Sequence, residues 1–138
     1  MRNPLLAAGL LIASSTPALS GDFDGSKSLL CASTEMISCV PHEMCRRERP
    51  ETLNAPEFLA VRFAEKTITN PRQGDITLSS DIHNLRDAES DLVVDGVDDR
   101  LAWSLAIAKD SGKMTLTATR VVQEEPVAIV IFGVCTPQ

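Results

Sequence analysis

Four cysteines, two histidines and nineteen carboxylates are the groups in this sequence with the most chemistry to offer. The cysteines are Cys31, Cys39, Cys45 and Cys135. The stretch Cys39-x2-His42-x2-Cys45, with Cys31 as a fourth donor, has the residue types of a zinc cluster. Its spacing fits no common zinc module. An even number of cysteines behind an export leader reads instead as two disulfides. Four cysteines allow three pairings, and the sequence favours Cys39–Cys45 with Cys31–Cys135. The first closes the short loop Val40–Met44, where Pro41 promotes a turn. The second ties an early strand to the last one.

The remaining constellations point more weakly to chemistry. Asp110-Ser111-Gly112 matches the tripeptide of aspartic proteases, but those enzymes need an apolar lead and two carboxylates sharing a proton. Lys109 and Lys113 flank this copy, so it reads as a hairpin tip. Asp87, Glu89, Asp91, Asp95, Asp98 and Asp99 crowd thirteen positions. A calcium loop starting at Asp91 fails, because Val93 and Ala102 fall on ligand positions. Asp22-x-Asp24-Gly25 fails as well, its glycine arriving too early. Asp95, Asp98 and Asp99 are therefore read as an acidic rim, with steering of a cationic protein as the functional alternative. Arg46, Arg47 and Arg49 form a basic knot, with Arg46 and Arg47 as candidate contacts; Glu43, Glu48 and Glu51 neutralise it. His83 has Asp81 and Asp87 near it in sequence, yet a loop histidine without a chemical role is the simpler reading. There is no Gly-x-Ser-x-Gly elbow and no phosphate-cradling glycine motif. Trp103 has two readings, core side chain or wall of a ligand cavity at a barrel mouth.

Short strands must position these groups. Leu101, Trp103, Leu105 and Ile107 alternate with Ala102, Ser104, Ala106 and Ala108, which is the period of a strand with one buried face. Lys109–Gly112 reads as a tight turn with positive φ at Gly112. The chain returns over 113–122 with Met114, Leu116 and Ala118 on one face and Thr115, Thr117 and Thr119 on the other. Gln123–Pro126 reads as a turn. Val127–Cys135 is apolar on both faces and is expected to be the most enclosed strand. Further strands are expected over 28–37, 58–63, 66–69, 75–79 and 92–97. Leu59, Val61 and Phe63 share a face. Residues 39–50 read as a charged loop, 50–56 as one helical turn between prolines, and 82–90 as ambiguous. The pattern predicts an all-β antiparallel barrel or sandwich of eight to nine short strands.

Residues 1–20 have the make-up of a signal peptide: Arg2, the apolar run Leu5–Ala13, then Ala18-Leu19-Ser20. Cleavage is expected before Gly21, with a site after Ala18 as the alternative. The run is too short to span a bilayer, and no later stretch reaches the ~20 apolar residues of a spanning helix. Without Arg2 the chain carries 12 basic and 19 acidic residues, net −7. That balance opposes nucleic-acid binding. Aromatics are 4% with no tyrosine, which gives little material for base or sugar stacking. Residues 21–138 can form one core that buries roughly two-thirds of the unfolded surface.

Leu29-Leu30-Cys31, the run 53–59, Trp103-Ser104, Gly112-Lys113-Met114 and the ending Phe132–Pro137 together resemble a group of short exported proteobacterial proteins of unknown function. The resemblance implies export in a Gram-negative cell and carries no activity or functional residues. The expectation is then a periplasmic or secreted, non-enzymatic protein with no cofactor, no metal and no stable membrane insertion. Its partner would be a small apolar ligand or a protein. Inhibition of a secreted or host hydrolase such as a lysozyme, through the Cys39–Cys45 loop and the acidic rim, is the alternative.

Overall fold

Alternating side chains decide the architecture. In a computed structural model, Trp103, Leu105 and Ile107 are buried, whereas Ser104 and Ala106 between them are half-buried. The next strand repeats the pattern with Met114, Leu116 and Ala118 inward. The structure describes residues 22–53, 55–71, 79–98 and 101–138. The expected leader, most of the expected strand 75–79, and Asp99 lie outside those residues.

Ten strands make one antiparallel sheet: β1 (Leu29–Cys39), β2 (Arg46–Glu48), β3 (Phe58–Arg62), β4 (Thr67–Thr69), β5 (Ser79–Asp81), β6 (Asn84–Asp87), β7 (Asp91–Val97), β8 (Ala102–Ala108), β9 (Lys113–Val122) and β10 (Glu125–Pro137). The pairing order is β5-β4-β3-β1-β10-β9-β8-β7-β6, and β2 lies beside the second half of β1. A sheet this long, carrying its large apolar side chains on one face, curls around them into a half-barrel. It is not a two-sheet sandwich. The two ends of the order come from one stretch of chain. β5 pairs with β4, and β6 pairs with β7 only two residues later. Between them the Ile82 amide donates to Lys66 O and the His83 amide to Asp95 O, at 2.8 and 2.9 Å.

Two glycines permit close approaches. A Cβ on Gly96 would lie 2.3 Å from Asp81 O and 2.5 Å from the Trp103 ring, so only glycine lets β7 pass beneath both. Gly112 has φ +67° in the β8–β9 turn, as expected, and its carbonyl accepts the Cys135 amide at 2.8 Å. The β9–β10 turn is made by Gln123 and Glu124, both at positive φ. This conformation suits a two-residue hairpin but costs non-glycine residues energy.

Both disulfides have the expected connectivity. Cys31 and Cys135 face each other across β1 and β10, and both are buried. Cys39–Cys45 closes the 40–44 loop. Three expectations need correction. The charged stretch 39–50 contains β2, which pairs with β1 although nothing in its composition marks a strand. The β9–β10 turn is two residues long, so Pro126 lies within β10. β10 is central in the pairing order but not the most enclosed strand. Its outward residues Phe132 and Val134 are about 40% exposed, because no second layer covers that face among the described residues. The helical turn is a 3-10 turn over Pro50–Leu53.

Candidate functional site

The inward face of the half-barrel is filled at one end and hollow at the other. At the filled end Leu29, Cys31, Val61, Leu92 and Ile107 expose 1% or less. Phe23, on the segment leading into β1, packs against this core. Toward the other end the inward side chains of β9 run Met114, Leu116, Ala118 and Arg120. The shrinkage at Ala118 leaves space, and a cavity of about 300 Å³ results. Its walls include Leu59, Ile68, Leu101, Trp103, Leu116, Ala118, Ile129 and Ile131.

A β-bulge positions the cavity's remaining wall. The β1–β10 register shifts between Ser33 and Glu35, and β1 bends away from β3 toward β2. The Ser33 amide and hydroxyl donate to Glu57 O at 2.9 Å and Pro56 O at 3.1 Å. The Ala55 amide donates to Pro50 O at 2.8 Å. These bonds hold Leu53, Ala55 and Pro56 against the hollow.

Few polar groups reach the same space. Trp103 Nε1–H donates to Ser80 Oγ at 2.7 Å, so the ring from β8 is tied to β5. Asn70 is buried in the wall. Asp98 and Arg120 stand there as the charged members. Asp98 Oδ1 accepts the Leu101 amide at 3.1 Å. Arg120 makes no ion pair among the described residues. Such a site, mostly apolar with a few convergent polar groups, is suited to enclosing and orienting a small molecule.

The structure separates the residues that the sequence singled out. Trp103 is both core, at 6% exposure, and cavity wall, so its two readings coincide. Asp98 shares that cavity. Asp95 faces outward and accepts from Asn84 Nδ2 at 2.7 Å. Asp87 pairs with Lys109 on the outer surface. Arg46 is held by Glu43 at 2.8 Å and Arg47 by Glu35 at 3.0 Å. Two of the three arginines of the basic knot are thus held in local ion pairs, by the 40–44 loop and by β1. His83 is exposed, and its backbone amide is engaged with β7. The cysteines are spent in disulfides, so the Cys39–His42–Cys45 spacing holds no thiolate for a metal.

Sequence reasoning missed Arg120, Asn70 and Ser80. Arg120 had a signal: it occupies the inward phase of β9, two residues after Ala118, where a charge breaks the apolar series. Asn70 stands before Pro71 and reads as a turn residue. Ser80 gives no signal at all.

Two wider depressions lie on the outer surface and are more open to solvent. One lies over Ala106, Ala108, Thr115, Phe132 and Val134, and the other between Pro41 and Val121. Compared with known families, curated proteins and solved structures, the chain has no match in any of the three.

Proposed function

We propose that this protein is an exported, non-enzymatic binding protein that holds a small apolar ligand inside its curled sheet. The observation that carries this reading is the hollow end of the half-barrel. It is walled by inward strand residues and contains Trp103 hydrogen-bonded to Ser80. A dry 150 Å³ cavity holds one benzene, so a space of about twice that takes on the order of a dozen non-hydrogen atoms. Two disulfides suggest an oxidising compartment outside the cytoplasm. The leader-like residues 1–20 support a periplasmic or secreted location, and the resemblance to short exported proteobacterial proteins supports a Gram-negative one.

Trp103 is the single tryptophan and tyrosine is absent, so its emission reports this cavity without interference. Titration with decan-1-ol should shift that emission saturably and give a negative heat-capacity change in calorimetry. Ala118→Leu, which places a larger side chain in the hollow, should abolish the shift. No saturable signal from either decan-1-ol or decanoate, up to the solubility limit of each, would refute the reading.

A second reading, inhibition of a secreted hydrolase such as a lysozyme, is favoured by one observation. The Cys39–Cys45 bond holds an exposed loop in which Met44 is 89% exposed and His42 sits at φ 62°. A disulfide-held loop of this kind is pre-organised for a protein partner. Inhibition of lysozyme that disappears when Cys39 and Cys45 are both replaced by alanine would support it. Unimpaired lysozyme at micromolar protein would exclude that target.

A further inference from the structure

The cavity has a chemical polarity that its apolar walls alone do not reveal. Along β9 the inward phase passes from Ala118 to Arg120, and the opposing residue of β10 is Val127. Arg120 is therefore a cation placed at the limit of an apolar enclosure, and it is exposed to solvent. Arg46, Arg47 and Arg62 each have a carboxylate partner, and of the arginines without an ion pair among the described residues, Arg49, Arg86 and Arg120, it is Arg120 that lines the cavity. The nearby carboxylate in the wall, Asp98, is committed to the Leu101 amide.

A guanidinium is planar, always charged and matched to a carboxylate in geometry. A ligand whose tail lies against Ile68, Leu116 and Ile131 and whose carboxylate meets Arg120 would satisfy both halves of the site. We propose that the ligand is a small anionic amphiphile: a carboxylate bearing an apolar body of about ten carbons. This rests on the reading of the cavity as a ligand site and adds the class of ligand. The chain's net charge of −6 does not favour anions at long range, so discrimination must come from Arg120 itself at contact distance.

The test compares decanoate with decan-1-ol by Trp103 emission and calorimetry, in the wild-type protein, Arg120→Gln and Arg62→Gln. Arg62→Gln makes the same change of net charge at an outward arginine already paired with Glu65. Decanoate should bind more tightly than decan-1-ol to the wild type. Arg120→Gln should remove that advantage, with decanoate weakened roughly tenfold, equivalent to ~1.4 kcal/mol. Arg62→Gln should preserve it. Circular dichroism on each variant confirms that the sheet is intact. Equal affinities of the two probes in the wild type, or an advantage that survives Arg120→Gln, would overturn the anionic class while leaving the cavity reading standing. Failure of both probes to bind would overturn the two together.

Discussion

At the Cys135 end of the curled sheet, Leu29, Cys31, Val61, Leu92 and Ile107 fit together with almost no surface left. At the Ile129 end, strands of the same sheet surround about 300 Å³ of space. The difference lies in the series each strand presents inward. β9 keeps its volume from Met114 to Leu116 and loses it at Ala118. β8 meets it with Trp103, whose ring lies over Gly96 and leaves the adjacent hollow unfilled. Among the described residues, the filled end has no polar side chain in its interior. The hollow end gathers Asn70, Ser80, Asp98 and Arg120. One curled sheet thus divides its inner face into a part that holds the fold together and a part free to hold something else.

Mutations should separate the two ends, and the largest effect belongs to the sulfur bridge at the filled one. Replacing Cys31 and Cys135 together by alanine should cost about 4 kcal/mol, because the bond closes a loop of roughly a hundred residues in the unfolded chain. Thermal melting should fall by roughly 15 °C. Replacing Cys39 and Cys45 removes a far shorter loop and should cost about 2 kcal/mol. A larger loss there than at Cys31–Cys135 would reverse the comparison.

Next in size are truncations of the inward apolar series. Ile107→Ala, at the filled end, should cost about 3–4 kcal/mol in urea unfolding. Leu116→Ala, beside space that already exists, should cost about 2 kcal/mol and enlarge the ligand that fits. Equal costs would mean that the hollow end is packed as firmly as the other. The β9–β10 turn offers a smaller gain: Glu124→Gly relieves a positive φ and should add about 1 kcal/mol.

The smallest effect is expected at Lys27. Its hydrogen bond to Asp22 and that carboxylate's charge raise the lysine pKa. Because the folded value lies above the unfolded one, any stabilisation is complete below the ordinary lysine pKa and is lost as pH rises through the folded value. The pair is exposed to solvent. Asp22→Asn should therefore leave the melting temperature unchanged from pH 5 to 9.

The strands that a reader of the sequence can find are those with one buried face. Leu101–Ile107 and Met114–Ala118 declare themselves because burial selects every second residue. The two disulfides were legible from cysteine number and from Pro41 in the short loop. β2 was not legible: Arg46, Arg47 and Glu48 are held by backbone pairing to β1, and pairing leaves no mark on side-chain type. β5 and β6 were hidden for the same reason, since the exposed residues Asn84–Asp87 carry no alternation. β10 reads as enclosed because apolar residues on both faces normally mean two covering layers, whereas among the described residues only the inner one is present. Of the possible contacts the sequence offers, Trp103 and Asp98 line the same cavity. Asp95, Arg46 and Arg47 lie elsewhere, each bound to a neighbour. The cavity could not be read because empty space is a sum over strands distant in sequence.

The bond between Cys31 and Cys135 also determines how the molecule bears a mechanical load. Tension applied between Ser28 and Gln138 would pass directly through sulfur. Everything from Ala32 to Val134, the hollow included, lies within the covalent ring and would carry no part of that force. Under oxidising conditions such a protein stretched by its ends would lengthen hardly at all, and reduction would turn the same pull into an unzipping of β1 from β10.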